Sequence, residues 1–123
     1  MQKIFSRASI ILAMLIPALS YAEQSSTSQP LSPIAQIIKL HPDLGYDVKS
    51  VQISQENSQV NVLRYAKVTV LEQGIADDSV SAINTLYSFR YIPQKGWEMM
   101  SKEQQYLCSR GKNTTTFQTD LCP

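Results

Sequence analysis

The spacing of apolar residues changes three times along this chain. It begins with a basic start carrying Lys3 and Arg7, followed by an almost unbroken apolar stretch from Ala8 to Ser20. Ser20-Tyr21-Ala22 then places small residues at the two positions that a signal peptidase reads. The stretch is shorter than the roughly 20 residues a bilayer span needs, and Pro17 interrupts it. Residues 1–22 therefore read as a secretory signal cleaved after Ala22, not as a membrane anchor. No cysteine lies near the cut, so no lipid anchor is expected after cleavage.

Glu23 to Leu31 is polar, small and nearly free of hydrophobic anchors, and it reads as a flexible leader. Ser32-Pro33 has the form of an N-cap followed by proline in the first helical position. Ile34, Ile37, Ile38 and His41 then recur at helical spacing, and Pro42 stops the helix after about two turns. So short a helix persists only when docked on something else.

From Tyr46 the period shortens toward two. Val48, Val51 and Ile53 break parity, which implies a bulge or a late strand start, and Glu56-Asn57-Ser58 has the composition of a turn. Val60, Val62, Ala66, Val68 and Val70 fall on one side of a long strand running to Leu71. Gly74 to Ser81 reads as a connection. Asn84 to Ile92 alternates again, with Tyr87, Phe89 and Tyr91 on one side. Pro93-Gln94-Lys95-Gly96 makes a turn, and Trp97, Met99 and Met100 open a last strand that runs to Cys108. The sum is an α+β domain over residues 32–123: an N-terminal helix packed on a curved antiparallel sheet of about four strands, with a C-terminal disulfide loop.

Length and charge narrow the functional classes. The 123 residues suit one small domain. Beyond residue 22, nine basic against ten acidic side chains leave a formal charge of −1, which argues against a nucleic-acid partner. The two cysteines, Cys108 and Cys122, are each other's obvious partner in an oxidising compartment. Their spacing is unlike Cys-x-x-Cys, and His41 is the single histidine, so a redox pair, a metal site or a cofactor is not expected.

Candidate chemistry is sparse. His41 lacks a local nucleophile or orienting group and reads as a helix-terminal histidine bonded to the last carbonyls. Asp77 and Asp78 suit a loop-capping role better than an acid/base pair or a calcium site. A hydrolase built on His41 or on the two aspartates is therefore the weakest of three functional readings. Arg64 interrupts the apolar parity of the long strand; it either snorkels or recognises an anion on a concave face, a role also open to Arg90. Tyr65, Tyr87, Phe89, Tyr91, Trp97 and Tyr106 either fill the core or furnish an interface. Arg110-Gly111-Lys112 is a cationic tip or a solvated turn. Asn113-Thr114-Thr115 fits the glycosylation triplet.

Asp77-Asp78-Ser79-Val80, Gly96-Trp97 and Cys108-Ser109-Arg110-Gly111 with Phe117 and Cys122 together form a pattern. It resembles a group of small exported bacterial proteins of unknown function with an Asp-Asp-Ser-Val turn, a Gly-Trp strand start and a C-terminal Cys-x-Arg-Gly…Phe…Cys loop. The resemblance covers about 45 residues and implies a periplasmic address and a Cys108–Cys122 bridge. It carries no reaction with it, and Thr114 to Thr116 stand where the others tend to have Gly and His. The expected function is a non-enzymatic module that binds another exported protein, such as an inhibitor or immunity-type partner. The alternative is a small-ligand binder using the concave sheet face.

Overall fold

The computed structural model describes residues 29–123. The segment read as a signal, and most of the leader, lie outside the described residues. One short helix, α1 (Pro33–Leu40), precedes four strands: β1 (Ser50–Val60), β2 (Leu63–Gln73), β3 (Val80–Ile92) and β4 (Gly96–Cys108). They form a single antiparallel sheet in the order β1-β2-β3-β4, so each strand pairs with its neighbours in sequence.

Helix α1 starts and stops where its terminal residues dictate. The Ser32 hydroxyl accepts from the Ala35 amide at 3.3 Å, and Pro33 occupies the first turn, where its missing N–H costs nothing. His41 is the C-cap, immediately before Pro42. Of the expected apolar face, Ile37 is fully buried and Ile34 is half-buried, whereas Ile38 lies in solvent. Ile37 joins a core cluster with Ala66, Val68 and Val70 of β2 and Tyr87 and Phe89 of β3, flanked by Val51, Ile53, Trp97 and Met99. Alternation along β2 and β3 places these residues on one sheet face.

The first hairpin differs from its sequence reading. Glu56-Asn57-Ser58 is not a turn but lies within β1, paired with Lys67, Ala66 and Tyr65. The chain reverses instead at Asn61-Val62, with Val60 opposite Leu63 and Asn61 at φ 55°, a left-handed conformation that asparagine tolerates. Val60 accordingly belongs to β1, and Val60 and Val62 are not core residues: they are 58% and 89% exposed. The parity break after Val48 is a late strand start at Ser50, and β3 begins at Val80, four residues before the expected Asn84. The β3–β4 turn falls at Pro93 to Lys95 as composition predicts, followed by Gly96 at φ 93°.

The C-terminal tail returns along β4. Tyr106 and Gln118 exchange backbone hydrogen bonds at 2.7 and 3.0 Å, and Cys108 is joined to Cys122. This is the disulfide that the two cysteines predict. By the chain-entropy model, a closed loop of this length stabilises by about 3 kcal/mol.

Candidate functional site

The residues singled out at the tail are engaged in holding it. Asp77 Oδ1 accepts from the amides of Ser79 at 2.6 Å and Val80 at 2.9 Å, which caps the start of β3. Those two bonds, led by that from Ser79 and helped by the Arg110 charge, hold its carboxyl below the usual aspartate value. Asp78 is exposed beside it. Arg110 does not project as a free cationic tip. Its Nε donates to the Pro123 carbonyl at 2.8 Å and an Nη donates to the Ser79 hydroxyl at 2.9 Å, tying the chain terminus to the β2–β3 connection. The Asn113 side chain likewise organises the tail, accepting from the amides of Thr115 and Thr116.

Four of the six candidate aromatic residues fall into two groups. Phe89 and Tyr87, 1% and 3% exposed, sit in the core and offer no outer interface. Tyr91 and Trp97 are half-buried cross-strand partners whose rings meet edge to face at 5.4 Å. Arg64 is exposed with its guanidinium over both rings, 4.6 Å from Tyr91 and 5.5 Å from Trp97. Its break in apolar parity is thus a cation resting on the aromatic end of the core face. Arg90 is on the other face, opposite Glu98 of β4.

At the far end of α1, a cavity of about 250 Å³ opens beside His41. His41 Nε2 lies 2.7 Å from the Tyr87 hydroxyl, a bond whose direction follows the imidazole tautomer. Sequence reasoning instead placed that ring on the last helix carbonyls; the true partner is 46 residues away. Burial, and secondarily the Glu72 carboxylate, push the Tyr87 hydroxyl above the usual tyrosine value, so it is protonated at neutral pH. Asp43, Glu72, Thr85 and Gln104 also line the cavity, but no serine or cysteine does. Among the described residues, no three histidine, cysteine, aspartate or glutamate side chains come together to hold a metal ion.

The feature that sequence reasoning missed is the free side of β1. Its eleven residues pair without a register shift to β2, and as an outer strand it leaves its other side open among the described residues. In a two-residue hairpin the closing pair, here Val60 and Leu63, exchanges hydrogen bonds, and bonded pairs then alternate. The N–H and C=O groups of Val51, Ile53, Gln55, Asn57 and Gln59 therefore point outward. Glu56 is the one charge on this strand, and Val62, Val60 and Leu63 (47% exposed) crown its end. The signal that could have found this surface is the absence of lysine and proline from Ser50 to Val60.

No protein-family model, no curated protein and no solved structure matches this chain.

Proposed function

We propose that this protein is an exported, non-enzymatic binding module that captures an extended segment of another exported protein as a fifth strand on the β1 edge. The observation that carries the reading is that edge: outward-facing backbone groups on five alternate residues, one charge, no bulge, and an apolar hairpin tip at its end. Strand addition draws affinity from main-chain hydrogen bonds, and the exposed Val60, Val62 and Leu63 supply apolar contact beside them. In the same reading α1 lies across the concave side of a curved sheet and steadies it, in keeping with Ile37 in the core cluster.

Export is part of the proposal. The Cys108–Cys122 disulfide is compatible with an oxidising compartment, and the Lys3-to-Ala22 pattern supplies the address. The polar chemistry near His41 favours binding over catalysis, because the imidazole faces a protonated tyrosine and not an activated nucleophile.

The experiment is capture from a periplasmic extract with wild-type protein and with Gln55→Pro as baits. Proline there removes an outward N–H and leaves the β1–β2 ladder intact, so the melting temperature is expected to stay within about 2 °C while capture is lost. A partner retained equally by both baits, or no partner for either, overturns the reading.

A further inference from the structure

A second cavity, independent of the β1 edge, lies between the start of α1 and the β3–β4 turn. It holds about 500 Å³, inside the roughly 300–1,000 Å³ range of small-molecule pockets. Pro30, Leu31, Leu40 and Trp97 give it an apolar floor, and Lys39 and Lys95 stand over it. The side-chain nitrogen of Gln36, the remaining polar lining residue, is committed elsewhere. It donates to the Leu31 carbonyl at 3.1 Å and to the Trp97 carbonyl at 2.9 Å.

These bonds also fix the floor. They tie the entry of α1 to the first residues of β4, and Pro30 sits so close over Gly96 that any side chain at that position would collide with it. The groove is thus formed before anything enters it, and a ligand has little ordering to do. No carboxylate lines it, so the two lysines bring positive charge to an apolar surface whose lining holds no counter-charge. The cavity beside His41 is its electrostatic opposite, lined by Asp43 and Glu72 and by no lysine or arginine, and Leu40 stands between the two.

We propose that the groove beside Trp97 binds an amphiphilic anion, a small molecule with an apolar body and a carboxylate, sulfonate or phosphate head. The body covers Leu31, Leu40 and Trp97, and the head lies between Lys39 and Lys95. Lysine acts here as a mobile point charge without the planar fork of arginine, so the site selects for charge and apolar shape over a particular head geometry.

Trp97 is the only tryptophan in the chain, so its emission reports directly on this floor. The exported protein is titrated with anilinonaphthalene sulfonate and with its uncharged parent, phenylnaphthylamine. The sulfonate is expected to quench Trp97 saturably at one per chain and to bind more than about tenfold tighter than the neutral compound, since each lysine contributes roughly fivefold. The double variant Lys39→Glu, Lys95→Glu removes that preference and leaves binding of the neutral compound unchanged. The control double variant Lys67→Glu, Lys112→Glu, with the same change in net charge, leaves both unchanged. Dodecanoate displaces the sulfonate at a concentration more than about tenfold lower than dodecanol requires. Should either double variant melt early, Lys39→Gln and Lys95→Gln singly are expected to lose roughly fivefold each. Equal affinity for the charged and neutral probes, an equal loss in the control variant, or displacement by dodecanol as readily as by dodecanoate overturns the proposal.

Discussion

The sheet has two outer strands, and they are protected very differently. Strand β4 carries Glu98, Lys102 and Glu103, departs from regular register opposite Ser88 and Phe89, and has the tail bridged to it between Tyr106 and Gln118. The disulfide at Cys108 and the Arg110 bonds to Pro123 and Ser79 then fasten that tail. Strand β1 has none of these: it is straight in register, carries one acid and ends in exposed apolar residues. Charges, bulges and covering segments are the means by which sheet edges avoid unwanted pairing. An edge left without them, on a molecule that guards its other edge by several means, is the more open of the two to pairing.

The contrast can be broken most severely at the fastened side. Replacing both cysteines with serine is expected to lower stability by about 3 kcal/mol, read from the denaturant midpoint at unchanged slope. Amides of β4 from Gln104 to Cys108 should then lose protection sooner than those of β2. An unchanged midpoint would mean that the tail is not a brace. Arg110→Ala comes next, with a loss of about 1 kcal/mol for two solvent-exposed hydrogen bonds, and faster exchange at Ser109.

Guarding the open side is expected to cost almost nothing in stability. Ser54→Lys gives β1 the kind of charge that β4 already has, so its thermal unfolding should match wild type within about 0.5 kcal/mol while partner capture falls. A large loss of stability instead would make the edge a structural element and not a contact surface.

The smallest effects are those of pH. Asp77 is held below its usual value in the folded chain, so what it contributes is present above the unfolded aspartate value of 3.8 and is lost as pH falls through the lower folded value. Asp77→Ala should therefore flatten the acid limb of the stability curve slightly. Tyr87 runs the other way: its raised folded value means that stability is complete below pH 10.0 and falls as pH climbs through that higher value. In a spectrophotometric titration of the native protein, Tyr87→Phe should remove one tyrosine ionisation from above the usual tyrosine value.

Legibility in the sequence followed the reach of the interactions. Ser32, Pro33 and Pro42 fix α1 through bonds and clashes within a few residues, and Pro93 to Gly96 fixes the second hairpin in the same way. The Cys108–Cys122 pairing was legible because it had no competitor. The first hairpin was not, because its outer arm has no core beneath it. From Glu56 to Arg64 every residue is exposed, so alternation stops carrying information and Glu56-Asn57-Ser58 resembles a turn while being held extended by the ladder alone. His41 with Tyr87, and Arg64 over Tyr91 and Trp97, depend on strand register and so lie beyond local reading. The β1 edge was hidden for a related reason, since a strand's position in the sheet is a property of topology.

The most direct test of that edge is amide hydrogen exchange along β1, at a concentration where light scattering reports a monomer. Alternation is expected: Val51, Ile53, Gln55, Asn57 and Gln59 exchange quickly, while Gln52, Ser54, Glu56 and Ser58 are protected by β2. Uniform protection along the whole strand in the monomer would show that its outer side is already covered, and an open β1 edge would be ruled out.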